Sequence, residues 1–245
     1  MKKYYGHTFY KDRHQKTVYS ANTILSIVFD ALPKVHSAVD FGCGVGTFLS
    51  VLKEKGAEEI QGIDGPWVNK DLLEIPQQNF RQVNLEDKIE LDRRYDLAIS
   101  LEVAEHLRPE VAETFVESLV NASDFILFSA AIPFQGGKDH NNEQWPDYWE
   151  ALFNERGYDV LDIVRREIWD DKEIPTWYRQ NILLFVKQER VKDLRMPGSA
   201  NNGHHSPVAL VHPETYNQLF SVRGSLKLFR RAIKKWFKKK FGKTS

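Results

Sequence analysis

The chain has 245 residues, 42% apolar and 28% charged, a composition that suits one medium globular domain with appendages and excludes a low-complexity or disordered chain. One cysteine, Cys43, excludes an intramolecular disulfide and fits a reducing compartment. The net charge of zero conceals an asymmetry, because residues 223–245 hold ten Lys/Arg and no Asp/Glu, which leaves residues 1–222 with 24 basic and 34 acidic side chains.

In chain order, the opening MKKYYGHTFYKDRH lacks the apolar run of a secretory signal, so the expected location is cytoplasmic. A helix is predicted near His14 to Leu32, stopped by Pro33. Then strands and helices alternate. Strand AVDFG (38–42) leads into a helix through Val51, and strand EIQGID (59–64) into a short helix around Val68 to Leu73. Strands FRQVNL (80–85) and YDLAISL (95–101) precede a helix from Glu110 to Val120, followed by strand FILFSAA (125–131) and a helix around Trp145 to Glu155. Strands YDVLDIVRREI (158–168) and NILLFVK (181–187) close the set, with only WDDKEIPTWYRQ between them. Such alternation predicts an α/β fold, a Rossmann-like doubly wound sheet that is mostly parallel. A hairpin joining the last two strands makes the final one antiparallel. The longest apolar run, Phe125 to Phe134, is too short to span a bilayer.

Beyond Lys187 the alternation stops. The expected organisation is a domain over 1–190, an exposed linker over 191–222 rich in Gly, Pro, Ser and Asn, and a basic tail helix over 223–245. In that tail Leu226, Phe229, Ile233, Trp236 or Phe237, and Phe241 recur at steps of three or four, with Lys and Arg on the other face. Such a helix suits peripheral contact with an anionic membrane, here the inner membrane face; docking on the acidic body is the bland alternative, and nucleic acid is disfavoured because the body is acidic.

The chemistry concentrates after the first strand, in VDFGCGVGTF. Gly42, Gly44 and Gly46 make a strand-to-helix turn with free amides at a helix N-terminus, a cradle for a nucleotide-like ligand in open parallel sheets. The spacing is G-x-G-x-G, which fits the dinucleotide fingerprint poorly, since Thr47 stands where that fingerprint needs glycine. Asp64 ends the next strand, where a carboxylate can accept both ribose hydroxyls.

VDFGCGVGTF, GIDGPWV, VNLED and YDLAISLEVAEHL, in that order, resemble the class I S-adenosylmethionine-dependent methyltransferases over about Ala38 to Lys187. The resemblance implies a seven-stranded sheet with an antiparallel last strand and S-adenosyl-L-methionine as cofactor. It places Asp40 and the Gly42–Gly46 loop on the methionine moiety, Asp64 on the ribose and Trp67 beside the adenine. It also places Asn84 and Leu85 at the adenine, Asn84 standing where the family often has an acid, and Ser100, Leu101 and Glu102 beneath the cofactor.

Methyl transfer to an alcohol requires alignment and removal of a proton. LEVAEHL supplies Glu105 and His106 just past a strand end, and His140 follows in the loop after the fifth strand, so His106 or His140 is the expected general base, with Glu105 beside them. Glu102, Glu105, His106 and His140 also resemble the ligand set of metal-dependent small-RNA 2′-O-methyltransferases, which makes a divalent metal a candidate. Trp145, Tyr148 and Trp149 share a helix face. Trp149 with Leu152 and Phe153 reads as core, and Trp145 as pocket-facing. This run is similar to bacterial glycan and natural-product methyltransferases, which points to an O-methyltransferase acting on a small-molecule or glycan-linked hydroxyl. The alternatives are methylation of a lipid-linked phenol such as a quinone precursor, and a non-catalytic S-adenosylmethionine-binding module.

Overall fold

The computed structural model describes residues 7–195 and 209–241. Its centre is a seven-stranded sheet in the order β3-β2-β1-β4-β5-β7-β6. The strands are β1 (Ser37–Phe41), β2 (Glu59–Asp64), β3 (Phe80–Gln82), β4 (Leu97–Leu101), β5 (Phe125–Ser129), β6 (Tyr158–Leu161) and β7 (Leu183–Lys187). All neighbours pair parallel except β7, which runs antiparallel to both β5 and β6. The expected topology is therefore present.

Period-two alternation divides the core. Ala38, Leu97, Ile99, Leu127, Leu184 and Val186 point to one face, under α1 (His7–Ala31) and α2 (Thr47–Glu54). Val39, Ala98, Ile126, Phe128, Leu183 and Phe185 point to the other, under α3 (Ala112–Ala122) and α4 (Pro146–Asn154). Both faces are covered, which is why the central strands read as near-continuous apolar runs. Trp149 is buried there with Leu152 and Phe153, as expected.

Several element bounds differ from the sequence reading. The stretch 80–85 keeps only three residues in the sheet, because Asn84 folds into a turn in which its Oδ1 accepts the Glu86 amide at 3.3 Å. The segment 68–73 makes a 3-10 turn over Lys70–Leu72 in place of an α-helix. The long strand expected over 158–168 ends at Leu161, and β6 connects to β7 through two short helices, α5 (Arg165–Ile168) and α6 (Thr176–Asn181), where a bare hairpin was expected. The reason is an i,i+4 burial of Val164 and Ile168, together with Arg165, which is buried and gives Nε and Nη2 to Asp162 at 2.9 and 2.6 Å. A buried arginine that needs both carboxylate oxygens favours a compact turn over an extended edge strand.

The expected linker over 191–222 lies partly outside the described residues, but its second half is ordered structure. It contains α7 (Pro213–Phe220), followed by α8 (Val222–Phe241). His212 and Thr215 are buried against the body, so this part is docked on the domain.

Candidate active site

The turn after β1 answers why three glycines are needed. All three have positive φ, at 87°, 55° and 89°. The reasons differ. A Cβ on Gly42 would overlap a methyl of Val103, and one on Gly46 would lie 3.0 Å from Ile75, so at these two positions the protein itself fills the space. A Cβ on Gly44 would meet nothing within 4 Å. Gly44 alone presents bare backbone to an open face, the place where a ligand can come close.

Asp64, at the end of β2, accepts the Gly44 amide on Oδ2 at 2.7 Å and the Gly65 amide on Oδ1 at 2.6 Å. Burial nevertheless pushes its carboxyl up. Asp40 is buried beside it and is pushed well above the usual carboxylate range, first by burial and then by the charge of Asp64. Two buried carboxyls at one strand-end turn are costly without a cation or donors to meet them. Trp67 is 70% exposed and its ring lies over Gly65, at the rim next to Asp64. Ser100, at the end of β4, is fully buried and its Oγ has no hydrogen-bond partner among the described residues. Leu101 is partly buried on the α1 side. Asn84 is exposed with its acceptor oxygen occupied by the local turn, and Leu85 is buried in the α3-side core.

The second half of the site starts at Glu102, whose φ is 56°. Its carboxylate receives Gln135 Nε2 at 3.1 Å and Asn181 Nδ2 at 3.0 Å, and its amide donates to Ser129 Oγ at 3.1 Å. Glu102 is thus turned toward β7 and held by amides. Val103, packed on Gly42, places the following loop directly against the glycine turn. The loop 139–142 is laced to it, since the Asn141 and Asn142 amides both donate to the Glu105 carbonyl at 2.8 and 2.9 Å, and Asn141 Nδ2 donates to the His106 carbonyl at 3.0 Å.

The result is convergence. The His106 and His140 rings meet edge to face with centroids 4.7 Å apart. One ligand atom from each of Glu105, His106 and His140 falls within 4.8 Å of the others. Glu102, the fourth residue of the expected set, is not in this group. Burial pushes the Glu105 carboxyl up to about 9, with the charge of Glu102 adding to it, and its Oε2 has no hydrogen-bond partner among the described residues. His106 is held below the ordinary imidazole value by burial and by His140, which keeps it neutral and able to take a proton or a metal ion. His140 Nδ1 lies 3.1 Å from Glu143 Oε1, and Glu143 also accepts the Phe134 and Gly136 amides, both at 3.0 Å. Trp145 stands at the start of α4, partly exposed.

Sequence reasoning did not find Glu143, Gln135 or Asn181. Glu143 stands three residues after His140, a spacing that signals a carboxylate partner. Gln135 and Asn181 carry no such local signal, because they meet Glu102 only through the insertion of β7.

Residues 12–119 match a family model described as a methyltransferase domain. Over these residues the chain is similar to a methyltransferase domain. No curated protein matches it. Among solved structures, the chain resembles DesVI of Streptomyces venezuelae, with a TM-score of 0.53, 14% identity, and coverage of 73% of this chain and 95% of that one. It also aligns with the methyltransferase domain of bacterial CtHen1-C, with 22% identity, 70% and 97% coverage and a TM-score of 0.49. Magnesium protoporphyrin IX methyltransferase from Synechocystis PCC 6803, with S-adenosylmethionine bound, aligns at 23% identity, 71% and 79% coverage and a TM-score of 0.49. The likeness to DesVI is one of fold. The domain implies S-adenosylmethionine as methyl donor, and the turn of this chain fits it, with an open backbone face at Gly44, a carboxylate on each of two adjacent strand ends and an unpartnered buried hydroxyl at Ser100.

Proposed function

We propose that the chain methylates a hydroxyl group of a sugar or glycan-linked acceptor. The observation that carries this reading is the meeting of His106 and His140 beside Glu105, on a loop packed against the glycine turn through Val103. When bound, S-adenosylmethionine supplies an electrophilic methyl group on a sulfonium. Asp64 would accept the ribose hydroxyls and Asp40 would meet the cationic methionine end. The imidazole of His106, held neutral, or that of His140 takes the acceptor's hydroxyl proton as the oxygen attacks, and Glu143 holds the His140 ring in position. Phe134 and Trp145, both partly exposed on the segment that carries His140, offer flat apolar faces suited to a sugar ring.

Glu105 favours a second reading of the same cluster. Glu105, His106 and His140 lie close enough to hold a divalent cation, which would supply Lewis-acid chemistry and lower the pKa of a coordinated hydroxyl. Turnover with labelled donor should fall at least a hundredfold in His106→Gln and His140→Gln while calorimetric affinity for S-adenosylmethionine is retained. Full activity in both variants would remove the cluster from the reaction, and activity that survives exhaustive chelation would dismiss the cation.

A further inference from the structure

Helices α7 and α8 follow the seven-stranded sheet, and buried polar contacts anchor α7 on α6. Arg179 on α6 is buried and donates to the Ile174 and Trp169 carbonyls at 2.8 and 3.0 Å and to Glu214 on α7 at 2.8 Å. His212 caps α7 by accepting the Glu214 amide on Nδ1 at 3.2 Å. That tautomer carries its proton on Nε2, which donates to the Trp169 carbonyl at 2.9 Å. The His212 amide in turn donates to Gln180 at 2.9 Å.

From this anchor α8 extends for 20 residues, about 30 Å at the α-helical rise. Its two sides differ. Gly224 and Leu228 look inward and, with Ser221 at the end of α7 and with Phe134 to Gly137, border a cavity of about 650 Å³. His140 packs directly on Gly137, so this cavity adjoins the catalytic loop. Outward, Val222 is 90% exposed, Leu226 50%, Phe229 62% and Ile233 39%. At 100° per residue these four positions fall within an arc of about 60°. Tyr216 and Phe220 on α7 are exposed as well, their rings in contact at 4.7 Å. A row of large apolar side chains facing water is costly unless something covers it.

The charge says what covers it. Ten basic residues and no acidic one fall in residues 223–245. We propose that α8 docks on an anionic lipid surface, with Leu226, Phe229 and Ile233 entering the headgroup boundary and its basic residues meeting lipid phosphates. Nucleic acid would satisfy the charges and leave the apolar row exposed. Docking on the acidic body would bury that row, whereas it is the opposite side of α8 that borders the body. No described helix is long and apolar enough to cross a membrane. An interfacial helix needs only one apolar face and a basic flank. The cavity on its inner side is then held next to the lipid, where an acceptor carried on a lipid tail can reach it. The docking itself does not depend on which acceptor is methylated.

Flotation of the full chain with vesicles of equal parts phosphatidylglycerol and phosphatidylcholine, against pure phosphatidylcholine, tests this. Binding is expected to the anionic vesicles, to weaken with added salt, and to fall roughly a hundredfold in F229S/I233S, about tenfold for each apolar side chain withdrawn from the interface. Neither residue borders the cavity or the cofactor turn, so affinity for S-adenosylmethionine in that variant should equal that of the parent and report correct folding. Equal flotation on neutral and anionic vesicles would overturn the proposal, as would an F229S/I233S variant that floats like the parent. Retention by transfer RNA without flotation, or a dimer abolished by F229S/I233S without flotation, would assign the surface to a different partner and overturn it too.

Discussion

Substituting alanine at Gly42 and at Gly44 should separate stability from binding within a single turn. Both positions have positive φ, so a Cβ costs about 1–2 kcal/mol at either one. At Gly42 the new methyl group also overlaps Val103, a buried residue of the α3-side core, and overpacking adds about 1–3 kcal/mol. Gly42→Ala should therefore lose about 2–5 kcal/mol in urea-induced unfolding, and Val103→Ala in the same chain should return part of it. Gly44→Ala should lose only the conformational part, since its Cβ meets nothing within 4 Å. The amide that Asp64 accepts also survives in Gly44→Ala. What that methyl group occupies is the open face, so calorimetric affinity for S-adenosylmethionine should fall by tenfold or more in a chain of near-normal stability. A Gly44→Ala variant that binds as well as the parent would refute the assignment of the open face to the cofactor. Equal stability losses at the two positions would refute the packing account of Gly42.

Two other outcomes follow from buried groups. Asp40 holds its proton to higher pH than an exposed carboxyl, because burial and then Asp64 push it up, so the ligand-free fold is favoured at low pH and loses stability as pH rises through that raised value. A cation bound beside Asp40 favours its ionised form; binding S-adenosylmethionine should release protons, seen as a calorimetric enthalpy that varies with buffer ionisation heat, and Asp40→Asn should abolish that variation. Arg179→Met should strip the Arg179 donor from the buried Ile174 carbonyl, leave the Trp169 carbonyl with His212 alone, and cost about 2–4 kcal/mol, with hydrogen exchange across 213–220 quickening most; unchanged exchange there would remove Arg179 from the anchoring of α7.

The strand-helix alternation, the glycine turn and the His106–His140 meeting were all legible in the sequence, because each rests on local periodicity or on loops at one end of a parallel sheet. The true reason for Gly42 and Gly46 was not, since Val103 and Ile75 are distant in sequence and a glycine pattern looks the same whether ligand or protein fills the space. Arg165 and Arg179 misled the reading of 158–181. Arg165, expected on a strand, is here buried between Asp162 and the distant Gln180 carbonyl, and Arg179, expected in the connecting segment, is buried with Glu214 of α7 as a partner. Glu102 shows the same limit, as the motif places it beside Glu105 and His106 while the amides of Gln135 and Asn181 draw it away.

The placement of β7 bears on how the molecule is made. Among the described residues β6 pairs with β7 alone, and β7 fills the gap between β5 and β6. As the polypeptide leaves the ribosome, β6 must wait with both backbone edges unclaimed until residue 187 has emerged. Any nascent chain stalled between 161 and 183 would carry a complete cofactor turn and an open seam, a species that chaperones should recognise and that would never hold Glu102 in its finished position.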